Sequence, residues 1–178
     1  MRIAHTAELD EETLRAIRAL MDTVFGDVFE GGFSDDDWDH GLGGMHVIAR
    51  DGDDIVGHAS VVRRQLLNAG RTLRCGYVEA VGVRADQRGR GLGAELMEEA
   101  ARIVRGGYNV GALSATEQAM PLYERLGWQR WRGPLSALTP RGVERTPDDD
   151  DSVFVLPVSG TMDLGGELTC DWRAGDVW

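Results

Sequence analysis

The sequence predicts a mixed α/β fold (α+β in the wider sense), in which a central mixed sheet is flanked by helices. Between residues 73 and 126, a strand-like run, a helical pattern, a second strand-like run and a second helical pattern follow one another. Such a β-α-β-α order requires at least one parallel pair of strands. Upstream, the turn signals DGDD and NAG join strand-like runs into antiparallel hairpins.

The first half of the chain contains clear helix starts. Asp10 is a suitable N-cap, and Glu11 and Glu12 favour the positive end of a helix dipole. Apolar residues then recur at helical spacing as far as Val24. Ser34 is a possible cap for a short acidic helix. The strands expected after it are residues 45–50, 55–64 and 73–83, with turns at 51–54 and 68–70.

The second half is expected to continue with helices and short strands. Pro121 suits the first turn of a helix, and Gly127 suits its end. We find no internal repeat and no linker, so a single domain over residues 1–178 is expected. The predicted elements are a helix at 92–105, a strand at 110–114, a helix at 117–126 and interrupted strands at 128–178.

Composition limits the location of the protein. The chain has 178 residues, 42% of them hydrophobic and 28% charged, which is typical of a globular domain. No run approaches the roughly 20 apolar residues that span a bilayer. The N-terminus carries no apolar signal region, so we expect a cytoplasmic protein without membrane contact.

Charge and cysteine usage limit the partners. The formal net charge of −11 argues against nucleic acid, because phosphate binding needs a basic face. The same charge suits either simple solubility or a cationic ligand. Cys75 and Cys170 form no CxxC pattern and the four histidines are scattered, so no metal site is expected. Both thiols are expected to be reduced and buried.

A glycine-rich turn, QRGRGLGA at residues 87–94, leads into the predicted helix. Such a turn leaves backbone N–H groups pointing outward beside the positive end of a helix dipole, which suits phosphates. Arg88, Arg90 and Arg84 add positive charge, although an ordinary flexible loop is the alternative. Without GxxxxGK[ST] it is not a P-loop, and the hairpin-rich sheet before it argues against a dinucleotide fingerprint.

The turn, the strand before it and a later helix together resemble the GCN5-related N-acetyltransferase (GNAT) superfamily. QRGRGLG fits that family's pyrophosphate loop, Q/R-x-x-G-x-G/A, and YVEAVGV at 77–83 and MPLYERLGW at 120–128 fit its strand and helix. The resemblance implies the GNAT fold, with a splayed parallel strand pair that holds acetyl-CoA. The residues it assigns to acetyl-CoA are Val81, Val83, Arg88, Gly89, Arg90, Gly91, Gly93 and Ala94.

A narrower resemblance, to the aminoglycoside 2′-N-acetyltransferases of actinobacteria, extends over most of the chain. It is carried by segments such as LRCGYVEAVGVR at 73–84, RTPDDD at 145–150 and CDWRAGDVW at 170–178. It implies N-acetylation of the 2′-amine of aminoglycosides, antibiotic resistance and a homodimer. The chain departs from the family before Phe33, where Gly32 replaces an acidic residue; the carboxylate would then come from Asp27, Glu30 or Asp35.

Acetyl transfer to an ammonium needs a base, a group that polarises the thioester carbonyl and a proton for the leaving thiolate. Glu79 is the candidate base, directly or through water, because burial in an apolar strand would raise its pKa; a paired structural glutamate is the alternative. By resemblance, the Val81 N–H meets the carbonyl oxygen, and the amides of Val81 and Val83 pair with the pantetheine arm. Tyr123 is the acid by resemblance, whereas periodicity alone favours a core tyrosine.

The acidic composition bears on the acceptor, because each ammonium of a polycation needs a carboxylate or several carbonyls when it leaves water. Trp172 and Trp178 suggest that the tail, residues 170–178, packs into the acceptor cleft. The α-carboxylate of Trp178 would then face the ligand; alternatively, Trp178 only anchors the chain end. The acceptor residues implied by the resemblance are Asp37, Glu79, Ser114, Asp149, Asp176 and Trp178.

Two other functions remain open from the sequence. The first is a GNAT acetyltransferase for another amine, such as a polyamine, a cell-wall amino sugar or a protein N-terminus. The acidic residues and tail favour a ligand with several ammonium groups over a neutral peptide end. The second is a non-catalytic module that binds acetyl-CoA or a drug, against which the presence of Glu79 and Tyr123 argues.

Overall fold

The computed structural model describes residues 1–26 and 32–178, and these residues divide into two units. Unit 1 contains residues 1–62 and 78–103, and unit 2 contains residues 63–77 and 104–178. In chain order, the described residues form β1 (Arg2–His5), α1 (Glu11–Phe25), α2 (Asp35–His40), β2 (Met45–Asp51), β3 (Asp54–Asn68), β4 (Arg71–Val83), α3 (Leu92–Gly107), β5 (Val110–Ser114), α4 (Met120–Arg125), β6 (Gln129–Arg130), β7 (Leu135–Thr139), β8 (Gly142–Arg145), β9 (Val153–Pro157) and β10 (Leu168–Asp171).

Strands β3 and β4 each contribute residues to both units. In unit 1, β1 pairs with β2 and β2 pairs with β3, both antiparallel, with a bulge between Ala49 and Arg50. The predicted hairpin between β2 and β3 is confirmed, since Asp51 opposes Asp54. Strand β1 was not predicted, because only Ala4 of its four residues is buried and the run is too short to show alternation.

Helix α1 begins where the sequence predicts. The Asp10 carboxylate accepts a hydrogen bond from the Thr13 amide at 2.7 Å, and Ile17, Leu20 and Met21 are buried against a cluster that includes β1 and β2 residues. Each such side chain contributes about 1.5–3 kcal/mol of hydrophobic stabilisation. A Cβ on Gly82 of β4 would lie 2.6 Å from Met21 Cε, so this glycine allows the close approach of α1 to β4.

Unit 2 contains the predicted parallel strand pair. Its strands lie in the order β6-β9-β5-β4-β3-β10-β7-β8. β4 and β5 are parallel over residues 75–77 and 110–112, and β7 and β10 are also parallel. β9 is antiparallel to β5 and to β6, and β10 is antiparallel to β3, which makes the sheet mixed, as predicted. β4 continues for six residues beyond Tyr77, the last that pairs with β5.

The helix after β5 is shorter than predicted. It begins at Met120 instead of Glu117, and Pro121 therefore lies in its first turn. A start at Glu117 would have placed Pro121 in the helix interior, where the missing N–H breaks the hydrogen-bond ladder. Gly127 has a φ of +83°, which confirms the predicted stop.

The two cysteines are buried thiols. Cys75 lies on β4 and Cys170 on β10. Burial is the largest cause that raises the pKa of the Cys170 thiol to about 11. No helix within residues 1–26 and 32–178 is long and apolar enough to cross a bilayer. The single-domain organisation stays a prediction.

Candidate active site

The glycine-rich turn lies between β4 and α3 in unit 1. Gly89 and Gly91 have φ values of +75° and +90°, a region that favours glycine. A Cβ on either residue would meet no atom of the described chain within 4 Å, so the space outside the turn is open. The amides of Ala94 and Glu95 both donate to the Gly91 carbonyl, at 2.9 and 3.1 Å. The backbone N–H groups just before Ala94 lie at the N-terminus of α3, where N–H groups can bind an anion.

The arginines around this turn are not equivalent. Arg88 and Arg90 are exposed; Arg88 Nε donates to the Val83 carbonyl at 3.0 Å, and Arg90 Nη1 donates to Gln87 Oε1 at 3.2 Å. Arg84 instead forms ion pairs with Asp86 at 2.7 Å and Asp54 at 3.1 Å. These side-chain hydrogen bonds raise the pKa of Arg84. The expectation that Arg84 adds counter-charge is therefore wrong, because carboxylates of the same unit already balance its charge.

A backbone irregularity interrupts β4 between the two residues assigned to chemistry. Ala80 has a φ of +49°, a left-handed conformation that is rare for a residue with a Cβ. Holding a residue there costs about 1–3 kcal/mol and marks a functional position more often than chance. Glu79 and Val81, which flank Ala80, are both half-buried. The Glu79 carbonyl accepts a hydrogen bond from Ser60 Oγ at 3.4 Å.

Tyr123 lies on α4, in unit 2, with 5% of its surface exposed. Its ring centroid is 6.1 Å from that of Phe154, in a tilted arrangement. Burial raises the pKa of the Tyr123 hydroxyl to about 12. The hydroxyl is protonated at neutral pH, as that of any ordinary tyrosine is, and burial makes it a weaker acid.

Most of the residues assigned to the acceptor lie in one polar network of unit 2. Ser114 Oγ donates to Ser152 Oγ at 3.2 Å, and Ser152 Oγ donates to the Asp149 carbonyl at 2.7 Å. Burial raises the pKa of the Asp149 carboxyl, and the charge of Asp176 raises it further. The Asp149 side chain also bonds Thr146, which accepts a hydrogen bond from Trp178 Nε1 at 2.9 Å. Sequence reasoning missed Ser152 and Thr146, because nothing in their spacing marks them.

The tail is held by two arginines that lie over the Tyr77 ring. The guanidinium carbons of Arg64 and Arg173 are 4.8 and 5.4 Å from the ring centroid. Arg64 Nε bonds the Asp171 carboxylate at 2.8 Å. Arg173 donates to the main-chain oxygens of residues 176 and 178, at 2.7 and 2.9 Å.

The two tryptophans of the tail differ in exposure. Trp178 is 2% exposed, whereas Trp172 is 52% exposed. Trp178 is thus the tail tryptophan that is buried, whereas about half of Trp172 lies at the surface. The hydrogen bonds of Arg64 and Arg173, rather than a second buried aromatic residue, hold the segment before Trp178.

Helix α2 gives one assigned residue a structural role. Asp37 Oδ2 accepts hydrogen bonds from the Ser34 amide and hydroxyl, at 2.9 and 2.8 Å, and so caps α2. Asp35 forms an ion pair with Arg18 at 3.2 Å. Asp27 and Glu30, the other candidates for the carboxylate, lie outside the described residues.

The assigned residues thus form two groups. Asp37, Glu79, Val81 and the residues of the glycine-rich turn belong to unit 1; Ser114, Tyr123, Asp149, Asp176 and Trp178 belong to unit 2. No group of three or more His, Cys, Asp or Glu side chains within residues 1–26 and 32–178 is arranged to hold a metal ion.

Comparison with known proteins identifies the fold and the family. Residues 5–131 match the family described as acetyltransferase (GNAT) domain. An aminoglycoside 2′-N-acetyltransferase of Mycolicibacterium fortuitum is 48% identical over 181 residues, which cover 99% of this chain and 91% of that protein.

Solved structures of low sequence identity share the fold. A GNAT family acetyltransferase of Brucella melitensis, in complex with acetyl-CoA, has a TM-score of 0.65 at 17% identity and covers 97% of this chain and 96% of that one. YhbS of Escherichia coli, in complex with CoA, has a TM-score of 0.62 at 16% identity, with coverage of 94% and 88%. These similarities confirm the predicted fold, and the chain belongs to the GNAT acetyltransferase family.

Proposed function

We propose that this protein transfers the acetyl group of acetyl-CoA to the 2′-amine of an aminoglycoside. The observation that carries the proposal is the 48% identity, over 99% of this chain, to an aminoglycoside 2′-N-acetyltransferase. The local geometry agrees with it, because an open amide-rich turn lies in unit 1 and an acidic hydrogen-bonded network lies in unit 2. We further propose that the enzyme is a cytoplasmic homodimer that confers antibiotic resistance and binds no nucleic acid.

The donor is held by the residues around the glycine-rich turn. Gly89 and Gly91 let the backbone approach a diphosphate, and Arg88 and Arg90 add positive charge at an exposed position. The amides of Val81 and Val83 bind the pantetheine arm in the manner of an added strand, and Gly93 and Ala94 belong to the start of α3. Acetyl-CoA supplies an acyl group activated as a thioester.

Three groups of the chain handle the charges of the reaction. The Glu79 carboxylate takes a proton from the acceptor ammonium, directly or through water. The Val81 N–H donates a hydrogen bond to the acyl oxygen, where negative charge develops. Tyr123, whose hydroxyl is protonated at neutral pH, donates a proton toward the leaving sulfur.

The acceptor is held by carboxylates and hydroxyls of unit 2, together with Asp37 and Glu79. The charge of Asp176 raises the pKa of the Asp149 carboxyl, so a cation between the two carboxylates relieves their repulsion. Ser114 offers a hydroxyl that suits the hydroxyl groups of an aminoglycoside. Trp178 anchors the tail in this network through Thr146.

Release of free CoA tests the proposal. Purified protein is mixed with acetyl-CoA and with matched aminoglycosides that carry either an amine or a hydroxyl at the 2′ position. We expect turnover only with the amine. Equal rates on both members of a pair would reject the 2′ position, and turnover restricted to a polyamine in the same panel would reject the acceptor class.

A substitution of Glu79 tests the base separately. Glu79→Gln is expected to lower kcat about 10²-fold or more at neutral pH, because an amide cannot accept the ammonium proton. Acetyl-CoA affinity, measured by calorimetry, should stay within twofold of the wild-type value. An unchanged kcat would show that Glu79 is a structural glutamate.

A further inference from the structure

A series of hydrogen-bonded side chains in unit 1 ends at Ala80 of β4. Thr6 Oγ1 lies 2.8 Å from His46 Nε2, His46 Nδ1 lies 2.9 Å from His58 Nε2, and His58 Nδ1 lies 2.9 Å from the Ala80 carbonyl oxygen. Both histidines are fully buried. The chain begins at the Gly43 amide, which donates to Thr6 Oγ1 at 2.9 Å. It therefore connects the residue after β1 to Ala80 through β2 and β3.

The acceptor at the end of the chain fixes the position of every proton in it. A carbonyl oxygen only accepts, so His58 Nδ1 carries the hydrogen and His58 Nε2 accepts one. His46 Nδ1 must then be the donor to His58, so His46 Nε2 is an acceptor. The Thr6 hydroxyl donates to it at 2.8 Å in preference to the Gly44 carbonyl at 3.2 Å. Burial lowers the pKa of His46 to about 4 and of His58 to about 3, so both rings are neutral at neutral pH, as this arrangement requires.

The Ala80 carbonyl and the Val81 N–H belong to one peptide group. In a planar trans peptide these two bonds point in opposite directions, so a bond that fixes the carbonyl also fixes the N–H. A hydrogen bond donated to the Ala80 carbonyl polarises the peptide group. The Val81 N–H then becomes a stronger hydrogen-bond donor. Ala80 has a left-handed conformation within β4, and its carbonyl is bonded by the His58 side chain.

We propose that His58, supported by His46 and Thr6, is a positioning residue that orients and polarises the Ala80–Val81 peptide for hydrogen bonding to the acyl oxygen. This role rests on the proposed function, because it presumes that the Val81 N–H meets that oxygen. A purely structural role would be served equally well by apolar residues, since burying two imidazoles is costly unless each polar atom is bonded.

The peptide can be observed directly by NMR. Ala80–Val81 is the only Ala–Val pair in the sequence, so protein labelled with carbonyl-¹³C alanine and ¹⁵N valine gives one HNCO cross-peak. His58→Leu removes the donor, and we expect the Ala80 carbonyl resonance to move upfield. His58→Asn keeps a donor near the Nδ1 position and should restore most of the wild-type shift. A cross-peak that is unmoved in His58→Leu would overturn the proposal.

Kinetics decide whether that bond matters for transfer. In both His58 variants, His46 Nδ1 loses the ring nitrogen that accepts its hydrogen bond. The difference in kcat between the two variants therefore reports the hydrogen bond to the Ala80 carbonyl. We expect kcat to fall about tenfold or more in His58→Leu and to recover in His58→Asn, with the acetyl-CoA affinity of both within twofold of wild type. Equal kcat values in the two variants would overturn the proposal.

A milder pair of variants covers the case in which His58→Leu does not fold. Thr6→Val removes the far donor of the chain without changing side-chain shape, and Thr169→Val, a buried threonine on β10, is the matched control. We expect a lower kcat and a moved Ala80 cross-peak in the first variant only. The same kcat in both would overturn the proposal. An inactive wild-type protein would instead reject the proposed function, and the cross-peak alone would then decide whether His58 fixes the peptide.

Discussion

Lowering the pH from 7 to 5 should destabilise the folded protein, because two buried histidines stay neutral in it. Burial lowers the pKa of His46 to about 4 and of His58 to about 3, whereas an unfolded histidine has a pKa of about 6.5. Below pH 6.5 the unfolded chain therefore binds more protons than the folded chain. The free energy of unfolding consequently falls as the pH falls through this window.

The magnitude follows from the width of the window. Each histidine contributes about 1.4 kcal/mol per pH unit while only the unfolded form is protonated. Between pH 6.5 and 5, this gives about 2 kcal/mol for each ring and about 4 kcal/mol for the pair. The result does not depend on the exact folded pKa values, because both lie below 5.

Urea unfolding followed by tryptophan fluorescence measures this loss at pH 7, 6 and 5. A double variant, His46→Gln with His58→Asn, replaces both rings by amides that do not titrate, and its unfolding free energy should be nearly constant over the range. Thr169→Val, which changes a buried residue that does not titrate, should retain the wild-type slope. A wild-type free energy that stays constant from pH 7 to 5 would refute the reasoning, as would a double variant with the wild-type slope.

Three other predictions concern the site and the packing. Tyr123→Phe should lower kcat about 10- to 10²-fold, measured by steady-state kinetics, while acetyl-CoA affinity is unchanged. An unchanged kcat would show that Tyr123 is only a core residue and not the acid. Asp176→Asn should raise the KM for the aminoglycoside about tenfold or more, because a charge-assisted contact is lost; an unchanged KM would remove Asp176 from the acceptor site. Gly44→Ala should lower the free energy of unfolding by about 1–3 kcal/mol, because the new Cβ would clash with the Val61 carbonyl. Gly106→Ala is the control and should not destabilise the protein, because Gly106 is an exposed helical residue with open space around it. Equal urea midpoints for the two variants would contradict this prediction.

The elements that the sequence predicts well are those specified by local chemistry. Asp10 and Ser34 are helix caps whose bonds reach only three residues along the chain. The glycine-rich turn is also local, because Gly89 and Gly91 are needed where φ is positive. The parallel strand pair follows from element order alone, since a helix must cross between two strands of one sheet.

The features that the sequence does not predict depend on contacts between distant residues. His46 and His58 read as scattered histidines, because no periodicity relates them to Thr6, 40 residues before His46. Ser152 likewise becomes meaningful only through its bonds to Ser114 and Asp149. The ion pairs of Arg84 show the opposite failure, since a residue chosen for its charge is neutralised by Asp54, 30 residues away.

The burial of both thiols has a practical consequence for the enzymology. A disulfide reagent reacts with the thiolate, and a Cys170 pKa of about 11 leaves almost none at neutral pH. Cys75 has no exposed surface at all. The colour formed by such a reagent during turnover therefore measures released CoA, without a contribution from the folded protein's thiols. Colour that develops with the protein alone, without acetyl-CoA, reports unfolding.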